Sequence, residues 1–484
     1  MLAPNKASAR TVTNRPNLLL IVIDSARAAN LSCYGYSRPT TPNIDALAQE
    51  GTLFEQAISV GCWTLPVHAS MFTGAYPSTH GLNSSSMALP RGGTTLAGDL
   101  SRHGYETVCF SNNPYISAAT GLAQGFDTVV DLWEITRPRG IKRTRASRLI
   151  KRLETMLPWS RPAIWMVQQS QRAWALFKRR PEQTRDSGAK RTVSEIKRWL
   201  TSRDPSVPFF AFINFMEVHE PYRPPAPYDR QFLPAGVKPA DVYRLLADKS
   251  ARSRDPAASQ ARREVLRSLY DGGLRYLDQQ LGELFDSLRS LGILDRTVVV
   301  VTSDHGDSLG EHDEFGHRKV LYEQLVRVPL VVRYPERFPA GARSPAHVQL
   351  VDLHPTLLEL AGAHGHSSSP GVFSLTESLG QGRREFTVAE NTAPKSLDFV
   401  LARMLRGDRY KFLWKSDGRH ELYDLLEDPA ESVNLVATHP EIAAELEEKL
   451  NAWHASLSAQ ENSAESAEYD ELVMSRLREL GYVD

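Results

Sequence analysis

The chain has 484 residues, 41% of them hydrophobic, and its 57 basic side chains are balanced by 57 acidic ones. That size and composition suit one large globular domain with a smaller companion, and a neutral chain without a nucleic-acid-binding motif excludes nucleic acid as the partner. Cys33, Cys62 and Cys109 are too few and too irregularly spaced for a disulfide framework or a cysteine-built metal site, and fit a reducing compartment.

Residues 1–15 are expected to be a disordered lead, and they lack the shape of a secretory signal. The apolar run at 17–23 is far too short to span a bilayer, so a cytoplasmic protein is expected. Residues 18–23 are apolar without alternation, as in a strand covered on both faces of a parallel sheet, and Asp24 follows at once. A single acid after a strand is commonly a loop cap. Next, Thr41-Pro42-Asn43-Ile44-Asp45 opens a helix with a cap residue and an early proline, closed by Gly51. Residues 54–60 lead into Cys62-Trp63-Thr64-Leu65-Pro66-Val67-His68, a turn that delivers Thr64 to the start of a short helix ending at Gly74. A hydroxyl there sits beside unpaired amides and the positive end of a helix dipole, where anions are held. Threonine is a poor nucleophile alone and needs a base or a metal to remove its proton.

A capped helix at 94–103 and a short buried strand at 107–110 follow, the latter ending in Ser111-Asn112-Asn113-Pro114. Alternating strands and helices predict a mostly parallel sheet wrapped by helices. Residues 131–205 break that pattern, with thirteen Lys or Arg against Glu154 alone between 137 and 180, and with Trp159, Trp165, Trp174 and Phe177 interleaved. Two readings stand for this insertion: a solvated helical face, or a basic amphipathic element that contacts a membrane surface or grips an anionic, lipid-linked substrate.

The strand at 209–215 ends in His219-Glu220-Pro221-Tyr222. Leucines at helical spacing over 264–291 predict a long helix, with Gly272-Gly273 a candidate point for a kink. The run at 297–301 is strongly β-branched, hence central in the sheet, and ends in Ser303-Asp304-His305-Gly306-Asp307 before a loop holding His312 and His317. A strand at 328–334 and a helix at 352–361 follow. From 381 to 456 short alternating runs predict a small antiparallel sheet with a helix at 440–453, and 457–484 is a polar linker with a terminal helix. The expected architecture is α/β: a large, mostly parallel central sheet sandwiched by helices over 16–380, with a smaller C-terminal antiparallel α+β subdomain.

Two acids, Asp24 and Asp304, thus stand at the carboxyl ends of buried strands, where open α/β sheets bind ligands. If those strands are neighbours, Asp24, Asp304, His305 and Thr64 converge, and crowded carboxylates call for a cation between them. The imidazole favours Mn²⁺ or Zn²⁺, with Ca²⁺ or Mg²⁺ also admissible. A serine triad of Ser303, Asp304 and His305 is disfavoured because adjacent residues relay protons poorly, and no Gly-x-Ser-x-Gly elbow, phosphate loop or dinucleotide fingerprint is present.

Together with Tyr76-Pro77, His80-Gly81, Arg327-Val328-Pro329-Leu330, Glu421-Leu422-Tyr423-Asp424-Leu425, Asp428-Pro429 and Asn434-Leu435, these motifs resemble the sulfatase family of the alkaline-phosphatase superfamily over nearly the whole chain outside 131–205. The resemblance implies that Asp24, Thr64, Asp304 and His305 ligate a divalent metal. It implies that His219 and His317 act at the leaving group as general acid or anion binder, with His68, Asn113 and His312 on the substrate side and His68 helping at the helix start. The family places Cys or Ser where Thr64 stands, in a Cys-x-Pro-x-Arg pattern, and oxidises it to formylglycine. Here the pattern is Thr-x-Pro-x-His, and oxidised threonine would be a ketone, which closes that route. Cys62 is out of register with Pro66, and Ser25 replaces a second aspartate, which argues for one metal ion. A threonine nucleophile resembles the superfamily's phosphodiesterases and phosphoethanolamine or phosphoglycerol transferases. The expectation is a metal-dependent hydrolase of a phosphate or phosphonate ester through Thr64; the alternatives are a sulfuric ester hydrolase without formylglycine, such a transferase, or a non-catalytic binding protein.

Overall fold

In a computed structural model, the structure describes residues 15–83, 86–135, 186–238, 242, 256–317, 320–365, 369–379, 384–392 and 400–457, with 474 and 477. The expectations for a disordered lead, for the basic stretch 137–180 and for a terminal helix lie almost entirely outside these residues. The main sheet has eight strands: β1 (Asn17–Ile23), β2 (Thr52–Ile58), β3 (Glu106–Ser111), β4 (Thr128–Asp131), β5 (Phe209–Phe215), β6 (Thr297–Thr302), β9 (Leu330–Arg333) and β10 (Ala342–Gln349). Between β6 and β9 in the chain lies a small hairpin of β7 (Ser308–Leu309) and β8 (Phe315–Gly316). The strand order is β10-β2-β9-β6-β1-β5-β3-β4, parallel throughout except for β9, which runs against both neighbours. β11 (Thr387–Asn391), β12 (Ala402–Arg406), β13 (Tyr410–Lys415) and β14 (Glu421–Asp424) make a separate antiparallel sheet.

The apolar runs behave as their lack of alternation requires. Leu18, Leu20 and Val22 enter one core layer with Phe210, Phe212, Val298 and Val300, while Leu19, Ile21 and Ile23 enter the other with Phe209, Ile213, Val299 and Val301. Burying the central strands on both faces stabilises each large side chain by roughly 1.5–3 kcal/mol, which fixes the strand ends as a rigid platform. The first layer is covered by helix α2 (Thr64–Thr73) and the small sheet, the second by helix α1 (Pro42–Gln49) and a helix at Pro256–Ser290.

Three points depart from the sequence expectation or escape it. The edge strand β10 escapes it because Arg343, Ser344, Pro345 and His347 break the apolar pattern; the pairing with β2 shifts register between Ser344 and His347, where an edge tolerates proline. The strand expected at 328–334 narrows to β9. The long helix is continuous through Gly272-Gly273. The two glycines serve close approach: a Cβ on Gly272 would lie 2.3 Å from the Tyr228 carbonyl oxygen, and one on Gly273 would lie 2.6 Å from that of Glu217. The helix therefore rests directly on the segment that carries His219. Among the described residues no helix is long and apolar enough to cross a membrane.

Gly272→Ala separates propensity from packing. Alanine gains ~1 kcal/mol as a helix former, but forcing backbone apart costs ~3 kcal/mol, the upper end of overpacking penalties. The melting temperature is expected to fall, and calorimetric or circular-dichroism melting checks the sign.

Candidate active site

β1 and β6 are adjacent and parallel, so Asp24 and Asp304 leave the same edge of the sheet. Ser303 ties the two strand ends: its Oγ lies 2.6 Å from the carbonyls of both Ile23 and His305, to which it can donate, and accepts from the Ala26 N–H at 2.8 Å. A serine so engaged is a latch and not a nucleophile. Ser25 adopts a left-handed φ of 66°, a conformation that costs a side-chain-bearing residue roughly 1–2 kcal/mol. That turn aims its N–H at Asp304 Oδ1 (3.2 Å) and its hydroxyl at Asp24 Oδ1 (3.1 Å).

Thr64 opens α2 behind an extended Trp63, with Pro66 in the first turn and Gly74 ending the helix at a φ of 68°. Its Oγ1 lies 3.5 Å from Asp24 Oδ2 and 3.5 Å from His305 Nε2. His305 Nε2 is in turn 3.8 Å from Asp24 Oδ1 and 3.5 Å from Asp304 Oδ2. Its Nδ1 sits 2.8 Å from the Gly306 carbonyl, which can only accept, so in the neutral ring Nε2 presents its lone pair to the crevice.

The carboxylates are wholly buried and close enough to interact. Burial and then the neighbouring Asp24 charge push Asp304 above the usual carboxylate range. Burial would push Asp24 up as well, but the charges of His219, His305, His68 and His317 outweigh it and hold Asp24 low. Asp304 Oδ2 is buried without a hydrogen-bond donor among the described residues. Asp24, Asp304 and His305 each bring a ligand atom to within 4.8 Å of the other two. Two carboxylates and one imidazole, with an oxygen left unpaired between them, fit a divalent cation.

Of the other expected residues, Asn113 donates from Nδ2 to Asp24 Oδ2 at 2.9 Å, so it orients the carboxylate. His219 stands after β5 with Nδ1 2.6 Å from the Glu220 carbonyl. Its ring lies 5.0 Å from that of His317, which lies 4.5 Å from His305. His68 is buried behind Thr64, 3.6 Å from Asp304 Oδ2. His312 is set apart: it occupies an exposed turn with a φ of 52° and stacks on Tyr322 at 4.0 Å, and no described contact joins it to the acidic pair.

Asp307 and Tyr222 escape a reading by sequence. The Tyr222 hydroxyl donates to Asp307 Oδ2 at 2.5 Å, and Asp307 Oδ1 lies 3.5 Å from His317 Nδ1. Burial raises the Asp307 carboxyl above its ordinary value, against that hydrogen bond and the histidine charges. The available signal was its place in the Ser-Asp-His-Gly-Asp run; its tyrosine partner, 85 residues away, carries none.

The family model described as Sulfatase matches residues 16–363, and one described as N-sulphoglucosamine sulphohydrolase, C-terminal, matches 310–456. An arylsulfatase of Clostridium perfringens is 26% identical over 455 residues, covering 87% of this chain and 90% of that protein. Arylsulfatase K of Bos taurus is 25% identical over 478 residues, covering 90% and 81%. The crystal structure of a phosphonate monoester hydrolase from Agrobacterium radiobacter superposes with a TM-score of 0.67 at 22% identity, covering 92% of this chain and 96% of that one.

A second histidine supports the same helix. His80 Nδ1 accepts the Leu82 N–H at 3.1 Å, and Nε2 lies 3.1 Å from both the Pro66 carbonyl and Ser70 Oγ. Burial pushes its pKa down to about 4. An unfolded histidine titrates near ~6.5, so its contribution is complete above that pH and is lost as pH falls towards the folded value. Glu217, pushed up to about 8 by burial, runs the other way. Thermal melting from pH 7 to pH 4 should therefore show a steeper acid-side loss for the parent than for His80→Gln.

Proposed function

The chain belongs to the sulfatase family, and on that premise we propose that it is a divalent-metal-dependent hydrolase of phosphate or phosphonate esters, with Thr64 as nucleophile and Mn²⁺ or Zn²⁺ as the ion. The observation that carries this reading is the placement of Thr64 Oγ1 at 3.5 Å from both Asp24 Oδ2 and His305 Nε2, at the first turn of α2. Asp24, Asp304 and His305 would hold the ion, with Asn113 and Ser25 fixing the carboxylates. When bound, the ion lowers the pKa of the Thr64 hydroxyl and draws charge from an ester oxygen. Thr64 Oγ, its proton released to solvent, bonds to phosphorus while the bond to the leaving oxygen breaks, and the leaving oxygen takes a proton from an imidazolium, His219 or His317. Water attacks the phosphoryl-threonine in line, the neutral imidazole takes its proton, and the bond from phosphorus to Thr64 Oγ breaks, releasing Thr64 as the alkoxide that begins the next cycle. Asp307, held by Tyr222, orients His317 for its part.

A threonine ester needs this second attack at the tetrahedral centre, because the side chain has no second hydroxyl through which to expel the group. Phosphorus accommodates that displacement, which favours phosphate and phosphonate over sulfate. One observation favours sulfuric ester hydrolysis instead: the curated relatives named above are arylsulfatases.

Parallel assays on an aryl phosphodiester, an aryl phosphonate monoester and an aryl sulfate, with Mn²⁺ or Zn²⁺ added, decide between the two. Turnover is expected on the phosphorus esters first. Thr64→Ala should melt like the parent and lose roughly a thousandfold or more in kcat; a variant that keeps its full rate removes Thr64 from the mechanism, and turnover of the sulfate alone reverses the substrate assignment.

A further inference from the structure

We propose that His68 is a positioning residue that holds the turn bearing Thr64 and the carboxylate of Asp304 in one register, and so sets the affinity of the ion site; this rests on the ester-hydrolase reading above. His68 follows Thr64 by one helical turn on α2. Its Nδ1 lies 2.8 Å from the Thr64 carbonyl oxygen and 3.6 Å from Asp304 Oδ2. A carbonyl and an ionised carboxylate can only accept, so the nitrogen between them carries a proton. One N–H thereby links the peptide of the nucleophile to an ion-holding carboxylate on a different element, the end of β6.

The surroundings assign this role and no substrate contact. The imidazole is 0% exposed and stands edge-on between Phe72, at 6.3 Å and 77°, and Phe212, at 5.8 Å and 86°. Those rings hold it by shape, and they close it off from any ester that approaches along the crevice. Asp304 is bound on its other side as well: Oδ1 accepts from the N–H groups of Ser25 at 3.2 Å and His305 at 2.9 Å. Among the described residues, Oδ2 has two nitrogens beside it, His305 Nε2 at 3.5 Å and His68 Nδ1 at 3.6 Å. A proton on His68 attracts Oδ2 without reaching hydrogen-bond length, which sets the carboxylate's rotation while leaving the oxygen free to ligate. Groups that orient ligands in this way typically govern metal affinity ten- to a hundredfold.

The test is titration calorimetry of Mn²⁺ into the full chain stripped of metal, for the parent, His68→Phe, His68→Gln and His68→Asn, with a melting curve of each metal-free protein. Phenylalanine fills the space without a donor. Glutamine places its amide where Nε2 stood, and asparagine places one where Nδ1 stood. The expected result is a dissociation constant for Mn²⁺ raised about ten- to a hundredfold in His68→Phe and His68→Gln, with His68→Asn returned towards the parent. If His68→Phe loses its cooperative melt, the glutamine–asparagine pair carries the comparison. Parent-like Mn²⁺ affinity in the glutamine variant overturns the inference, and so does a rise in KM for the ester with Mn²⁺ affinity unchanged, which would make His68 a substrate contact. A parent that takes up no Mn²⁺ or Zn²⁺ overturns the ester-hydrolase reading itself, and the inference with it.

Discussion

The structure is organised around a repulsion. Strand pairing that aligns Val22 with Thr302 brings Asp24 and Asp304 out of the sheet side by side, and both are wholly buried. Two carboxylates in that setting cannot both carry full charge without compensation. The chain supplies part of it: the amide of Asn113, the N–H and hydroxyl of Ser25, the N–H of His305 and the nearby imidazoles. Among the described residues Asp304 Oδ2 is left without a hydrogen-bond donor, with His305 Nε2 at 3.5 Å and His68 Nδ1 at 3.6 Å. The left-handed Ser25, the Ser303 latch and the closely seated α2 all serve to keep that geometry from relaxing.

The C-terminal sheet is tied to the segment that follows the site loop. Glu323, shortly after the loop that carries His317, accepts from Arg406 at 3.0 Å and Lys411 at 3.1 Å, and Lys411 also pairs with Glu431 at 2.7 Å. Burial would raise the Glu323 carboxyl, but the charges of Lys411 and Arg406 hold it below its ordinary value. Removing one member of such a buried cluster strands the rest, at a cost of roughly 3–5 kcal/mol. The small sheet is thus pinned to the segment that follows the site loop, and Gly306 closes the other end: its N–H donates to the Leu325 carbonyl at 2.7 Å.

Much of this was legible in the sequence, for reasons that can be located. Unalternated apolar runs mark doubly covered strands, and an acid directly after such a run must emerge at a sheet edge; Asp24 and Asp304 follow from that alone. Thr64 was legible because its turn has helix-start chemistry on one side and Gly74 on the other. What was not legible is what depends on contact between distant segments. Tyr222 meets Asp307 across 85 residues of chain, on a segment against which the helix at Pro256–Ser290 rests through glycines whose sequence signature also fits a kink. His312 and His317 share one loop and one composition, yet a left-handed turn sends the first out to Tyr322 and leaves the second beside His305. Local spacing does not encode that difference.

The central claim is that Asp24, Asp304 and His305 share one divalent ion beside Thr64. Anomalous diffraction at the manganese edge, from crystals of the full chain grown with Mn²⁺, tests it most directly. The account predicts a single strong peak about 2.0–2.4 Å from an oxygen of each aspartate and from His305 Nε2, absent in Asp24→Asn. A peak bound elsewhere, or a site empty at saturating Mn²⁺ with these side chains in place, would contradict it.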